Sequence, residues 1–472
     1  MRAVTYQPQI PVGRVTPGLR EAALIEFIGS DPAHGQAIVQ AMLEAGFVIR
    51  EVAQPSGQAD ALILAHGLTG TTLDAHCGAL EAISAQAKRF EERGGTLILL
   101  QDTGGRFQPT DHRAWRGGLT GLARTAAREF PKATVRAIDM DIADLGLQGA
   151  TDRLVEELLS GGTAPCVGLS AQGRLVPADG LAALPGNRPG LIGSQDVILV
   201  TGGARGVTAD CIIELARRTQ ARFALLGRSA ITPWPDDLAP VTDEKALRGA
   251  LAARAKAKGE KVSPAALNKE ARALLSGAEI RSTLGAIEQA GGKALYVPTD
   301  VADPAALVDA LSRIEAGLGP VTGLVHGAGV LADKLIREKT RDQVEKVFAP
   351  KISGLEAILA LINPNQLKTI AFFSSVAARY GNAGQADYAM ANEILNRMAH
   401  WLKAANPDAA ITSLGWGPWD GGMVDESLKA KFAEMGVSLI PRMAGANLFA
   451  DAVLAGDACP VELVIGSEIA HG

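Results

Sequence analysis

Short runs of consecutive apolar residues alternate with longer stretches of helical periodicity over most of the chain. This is the pattern of strands buried on both faces of a parallel sheet between layers of helices. In the N-terminal part the runs are Ala61 to Ala65 (ALILA), Thr96 to Leu100 (TLILL) and Val135 to Asp139 (VRAID), separated by helical segments at Asp74 to Arg93 and Gly118 to Glu129. A second series opens with Asp196 to Val200 (DVILV) and continues with Phe223 to Leu226, Ala294 to Pro298, Gly323 to His326, Thr369 to Phe373 and Ala410 to Leu414. The spacing predicts an α/β chain with two Rossmann-like, doubly wound parallel-sheet domains in series. The Pro/Gly-rich segment Leu184 to Ser194 (LPGNRPGLIGS) interrupts both periodicities. It divides a domain of residues 1–190 from one of residues 195–472. Between the second and third strands of the latter, residues 243–275 are rich in Ala, Lys, Arg and Glu and break near Gly259 and Ser263-Pro264. They predict a helical hairpin on the surface, either a solvated decoration or a docking surface for a carrier or neighbouring domain.

Composition narrows the class. At 472 residues, 47% hydrophobic and 4% aromatic, the chain has ample material for large cores. Forty-six Lys and Arg stand against 51 Asp and Glu, a net charge of -5. No broad basic field results, so neither nucleic acid nor a membrane surface is expected as principal partner. Cys77, Cys166, Cys211 and Cys459 show no C-x-x-C spacing, which fits free thiols in a reducing compartment and no metal site. With no apolar signal core at the amino terminus and no apolar run of bilayer length, the expected location is cytoplasmic.

Chemistry enters with Thr201-Gly202-Gly203-Ala204-Arg205-Gly206-Val207-Thr208, which follows the first strand of the second series and leads into a helix expected at Ala209 to Thr219. Gly202 and Gly203 let the backbone turn tightly and approach a pyrophosphate at the positive end of that helix. The end of the next strand, Leu225-Leu226-Gly227-Arg228-Ser229, lacks the acidic residue that would take the ribose 2'-hydroxyl of NAD. Arg228 and Arg205 offer guanidinium forks to a 2'-phosphate instead, so NADPH is the expected cofactor.

That loop occurs together with Asp300-Val301, His326-Gly327-Ala328-Gly329, Ser374-Ser375, Tyr388-Ala389-Met390-Ala391-Asn392 and Trp416-Gly417-Pro418-Trp419. The set resembles the short-chain dehydrogenase/reductase superfamily and, more narrowly, the ketoreductase domain of modular polyketide synthases and polyunsaturated fatty acid synthases. In that family the active-site lysine lies upstream of the serine, and an asparagine follows the tyrosine. The resemblance thus implies Lys351, Ser375, Tyr388 and Asn392 as catalytic residues. For the cofactor it implies Thr201, Gly202, Gly203, Arg205, Gly206, Val207, Arg228, Asp300, Val301, Gly327, Ala328, Gly329 and Pro418. Gly118 to Pro131 is similar to part of the truncated, structural Rossmann-like half of these ketoreductases, which implies a scaffold role for the first domain. His66-Gly67-Leu68-Thr69-Gly70 there has no full dinucleotide fingerprint beside it.

The chemistry implied is carbonyl reduction, in which charge builds on the carbonyl oxygen and calls for a proton and hydrogen bonds. Tyr388 would donate the proton, Lys351 would favour the phenolate and hold the nicotinamide ribose, Ser375 would bond the oxyanion, and Asn392 would orient Lys351 directly or through water. Thr208 replaces the family loop's last glycine, and Ala332 interrupts what would be a Leu-Asp-Asp signature. Tyr380 stands where a tryptophan marks ketoreductases of opposite stereochemistry, implying a D-configured, usually (3R), product. Gly421 to Met435 resembles the substrate lid. The expected function is reduction of a 3-oxoacyl thioester on an acyl carrier protein, with other synthase domains as partners. The alternatives are reduction of a free ketone or acyl-CoA, and a silent scaffold. No ketosynthase, acyltransferase or carrier pattern is seen, so action in trans or as one piece of a larger synthase is expected.

Overall fold

The computed structural model describes residues 1–466 except 30, 423–425 and 435. Its strands are β1 (Arg2–Pro8), β2 (Ile25–Ile28), β3 (Ile49–Glu51), β4 (Ala61–Gly67), β5 (Gly95–Gln101), β6 (Ala133–Met140), β7 (Cys166–Ser170), β8 (Gly173–Leu181), β9 (Val197–Thr201), β10 (Arg222–Gly227), β11 (Lys293–Pro298), β12 (Gly323–His326), β13 (Thr369–Ser375), β14 (Ala410–Trp416) and β15 (Glu462–Ile465). They form one sheet ordered β11-β10-β9-β12-β13-β14-β15-β1-β8-β7-β6-β5-β4-β2-β3. The two doubly wound parallel runs are therefore not separate sheets. β1 pairs antiparallel with β8 on one side and with β15 on the other, so that Arg2 lies opposite both Leu181 and Val464.

Every strand read from the sequence is present, because buried parallel strands are apolar throughout; Val197–Thr201, for example, is buried at each position. The second run has one strand more than the six expected, β15. Its inserted hairpin comprises the helices Glu244–Ala257 and Pro264–Gln289, so the second helix continues well past residue 275. Ser263 caps it, its side chain accepting from Ala266 N, with Pro264 at the first position. Residues 182–196 contain neither helix nor strand, which is where the Pro/Gly-rich segment falls.

The halves pack through helix Leu119–Glu129 against helix Ala386–Ala405, at glycines that leave room for backbone contact. A Cβ on Gly121 would stand 2.6 Å from Ala389 O, and one on Gly117 2.1 Å from Arg397 Cγ. Under this contact lies a buried ionic network. Arg124 reaches Glu393 at 3.2 Å, and Arg397 reaches Glu393 at 3.3 Å and Glu462 at 2.8 Å. Tyr6 of β1 donates to Glu462 at 2.8 Å. Removing one partner from such a network costs about 3–5 kcal/mol, since it strands a buried charge. The network thus ties the first half to the helix that carries Tyr388 and Asn392. No helix among the described residues is long and apolar enough to cross a membrane.

Candidate active site

β9, β10, β12, β13 and β14 end along one edge, where a cleft of about 660 Å³ opens. In a doubly wound sheet, ligands bind at this carboxyl edge. Of the residues expected to bind cofactor, Gly202, Arg205, Gly206, Val207, Arg228, Asp300, Val301, Gly327, Ala328, Gly329 and Pro418 line it, as do Lys351, Ser375 and Tyr388. Thr201, Gly203 and Asn392 do not line it; their roles are local.

Gly202 has φ +69, and a Cβ there would stand 3.0 Å from the Ala328 backbone, so the two loops touch because no side chain intervenes. Gly203 faces inward, where a Cβ would meet Val200 at 2.2 Å; it lets helix Gly206–Thr219 pack on β9. That helix starts three residues earlier than expected, at Gly206, and its own N-cap residue, Arg205, makes no side-chain capping bond. Thr201 Oγ1 accepts from Ala328 N at 3.1 Å and lies 2.9 Å from His326 Nδ1, while His326 Nε2 lies 2.8 Å from Lys351 O. Burial pushes His326 down to about 3, so the ring is neutral. A carbonyl only accepts, so Nε2 carries the hydrogen and Nδ1 accepts from Thr201. This chain, absent from the site read in the sequence, fixes the lysine turn against β9 and β12.

Lys351 lies on a π-helical turn, Ala349–Ser353, a wider turn of a kind often found at functional sites. Its Nζ donates to Phe373 O at 2.8 Å and stands 5.6 Å from the Tyr388 ring centroid. Burial lowers its pKa from 10.5 to about 7. Burial also raises the Tyr388 phenol above its usual value, opposed by the Asn392 and Ser375 side chains. Ser375 Oγ accepts from Ala377 N at 3.1 Å, which leaves its own proton for the cleft. Of the two routes expected from Asn392 to Lys351, the direct bond is not made. Asn392 Nδ2 donates to Tyr388 O at 2.8 Å, and its buried Oδ1 has no partner among the described residues, which leaves an acceptor for a water bridging to Lys351.

Two further contacts were not read from the sequence. The inserted helix Pro264–Gln289 brings a carboxylate to the head of helix Gly206–Thr219: Glu279 Oε1 accepts from Gly206 N at 3.0 Å, and Ser276 Oγ accepts from Arg205 Nη1 at 2.7 Å. No local signal could find these contacts, since 73 residues separate Glu279 from Gly206. Tyr380 is not among the residues lining the cleft and donates to Asp179 Oδ2 at 2.9 Å. Of the lid segment, Gly421, Gly422 and Phe432 line the cleft, whereas 423–425 and 435 lie outside the described residues.

The residues present fit a nicotinamide dinucleotide. The glycine loop leaves a cradle that a Cβ would fill, Arg205 and Arg228 face it, and the buried Trp416 indole N–H at its wall has no partner among the described residues.

Residues 197–421 match the model of the KR domain family. One component of the polyunsaturated fatty acid synthase of Thraustochytrium sp. is 38% identical over 365 residues, 75% of this chain and 13% of that protein. A spectinabilin polyketide synthase system protein of Streptomyces orinoci is 27% identical over 402 residues, 78% of this chain and 16% of that protein. The chain thus spans 13% and 16% of the length of these two relatives. A solved structure of A-type ketoreductases from a modular polyketide synthase shares the fold, with a TM-score of 0.69 at 21% identity over 98% of this chain and 92% of that one. With its cleft and its catalytic-type side chains in one place, the chain carries a ketoreductase (KR) domain match over residues 197–421 and is homologous to the KR domains of polyketide and polyunsaturated fatty acid synthases.

Proposed function

We propose that this ketoreductase uses NADPH to reduce a 3-oxoacyl thioester, carried on an acyl carrier protein, to the 3-hydroxyacyl thioester. The observation that carries the reading is the convergence of Lys351, Ser375 and Tyr388 with the glycine loop and Arg228 on one cleft. When bound, the reduced nicotinamide supplies the hydride, and with it the two electrons, to the carbonyl carbon. Tyr388 gives its phenolic proton to the carbonyl oxygen, and Ser375 donates a hydrogen bond to the same oxygen as its charge grows. Lys351, when protonated, stabilises the phenolate left behind and reaches towards the nicotinamide ribose. Arg205 and Arg228 take the 2'-phosphate, and Gly206 and Val207 at the helix head take the pyrophosphate, Glu279 yielding the Gly206 N–H to it.

A silent scaffold is disfavoured because all the reacting side chains reach the cleft or its wall. A free ketone or acyl-CoA remains the alternative substrate. Turnover of one 3-oxoacyl group is to be compared on carrier protein, on coenzyme A and on a short thioester mimic. We expect the carrier-bound form to have the highest kcat/KM; equal values for all three would remove the carrier from the reading.

A further inference from the structure

The loop after β12 and the turn that opens the tyrosine helix Ala386–Ala405 meet at one junction, and the first half of the chain reaches into it. Glu129, the last residue of helix Leu119–Glu129, accepts from Ile336 N through Oε2 at 2.7 Å and from Gly384 N through Oε1 at 2.9 Å. Gly384 has φ +83, a conformation that favours glycine. From the other side Lys339, its side chain wholly buried, donates to Ala332 O at 2.7 Å, Gly384 O at 3.2 Å and Asp387 Oδ1 at 2.9 Å. The same Asp387 oxygen accepts from Tyr388 N at 2.9 Å. The two backbones also touch directly, Lys334 N donating to Gly384 O at 2.9 Å. Leu331 on one strand of this junction and Tyr388 on the other both line the cleft.

We propose that Glu129 is a positioning residue for Tyr388: the structural half sets, through this one carboxylate, the separation between the loop 331–336 and the turn that presents the phenol. The proposal rests on the reading of Tyr388 as proton donor. A carboxylate suits the task because each oxygen takes one N–H with charge assistance. An amide has only one acceptor oxygen, and its NH₂ would face the second backbone N–H. A buried N–H without an acceptor carries the full desolvation cost, so the backbone moves until the donor finds another partner. At a reacting centre, a displacement of about 1 Å is enough to slow the chemistry roughly a hundredfold.

The test compares Glu129→Gln with Glu91→Gln. Glu91 pairs with Arg337 across the same two halves at 3.1 Å and makes no contact with the junction's backbone. NADPH titration counts folded sites, kcat is taken per site, and the solvent deuterium isotope effect on kcat reports on proton delivery. For Glu129→Gln we expect NADPH affinity within about twofold of the unmodified protein, kcat lower by about tenfold, and a larger solvent isotope effect. Glu91→Gln should match the unmodified protein in all three. Native kcat and isotope effect in Glu129→Gln, or equal losses in both variants, would overturn the proposal. Should Glu129→Gln not accumulate folded, Glu129→Asp is read in the same way: one methylene shorter, it cannot reach both N–H groups, and native kcat would again overturn the claim. Failure of the unmodified protein to reduce any thioester would instead remove the reading beneath it.

Discussion

The two halves wind similar sheets but finish their first βα turn differently. In the first half the helix after β2, Pro32–Glu44, starts with a proline, and its head is closed by Asp31, whose carboxylate accepts from Ala33 N at 2.9 Å and His34 N at 3.0 Å. In the second half the helix after β9, Gly206–Thr219, has no cap from its own N-cap residue, Arg205, and opens on the cleft. A helix head attracts anions through unsatisfied N–H groups and the helix dipole. One capped by its own aspartate offers fewer donors and adds a negative charge. The fold alone therefore does not decide dinucleotide binding; what satisfies the first turn does. Calorimetric titration should find one NADPH site per chain, and a second site would break the comparison.

The largest expected effect separates chemistry from binding within the open half. Tyr388→Phe keeps the ring's packing but removes the proton donor, so kcat should fall by about 10²–10⁴ with NADPH affinity nearly unchanged. Near-native turnover would end the assignment. The next effect concerns what the open turn selects. Replacing Arg205 and Arg228 together by alanine should weaken NADPH by roughly 10–100-fold and NADH hardly at all, because only the former carries the 2'-phosphate. Equal affinity of the unmodified protein for the two cofactors would remove the arginines from that role.

How much of this was legible in the sequence follows from the range of each interaction. Strands such as β9 and β13 were readable as apolar runs, and the glycine loop as a local turn in a strand-to-helix context. β1 and β8 were not, because they are partly exposed strands whose mixed pattern only acquires meaning once they bridge two halves. β2 was hidden by its buried Glu26, which pairs with Arg50 at 2.7 Å. In the site, residue types in the family's order pointed to Lys351, Ser375 and Tyr388. The Thr201–His326–Lys351 chain, Glu279 and Glu129 escaped because their partners lie far along the chain, 255 residues in the case of Glu129 and Gly384.

A smaller effect belongs to the acid–base pair inside the open half. Burial holds Lys351 down to about 7, whereas the Tyr388 phenol is raised and titrates far above neutrality. The lysine cation that favours phenolate is therefore the main form only below about pH 7. It follows that kcat/KM for NADPH, which reports on the free enzyme, should fall as pH rises through about 7, by up to roughly tenfold per unit. In Lys351→Ala that fall should vanish and both cofactor affinity and turnover should be lower at every pH. A flat profile of the unmodified protein from pH 6 to 8.5 would show that this lysine's charge does not limit the reaction.

The smallest effect bears on the comparison most directly, because the open helix head is not wholly open. Glu279 accepts from Gly206 N much as Asp31 accepts at the other head, but it does so from an exposed position on the inserted helix Pro264–Gln289 and through one contact rather than two. A bound dinucleotide brings phosphates to the same donors, so the carboxylate must yield the N–H, and its charge opposes theirs. In a solvated cleft, two such charges a few ångströms apart repel by about 1 kcal/mol, a few-fold in affinity. Glu279→Gln should therefore bind NADPH roughly two- to fivefold more tightly, and the gain should shrink in high salt as the exposed charge is screened. Both are read by fluorescence titration at two ionic strengths. Weaker binding in Glu279→Gln would mean that the carboxylate holds the cofactor rather than competing with it, and the contrast between a head capped by its own acid and a head left to the ligand would then have to be redrawn.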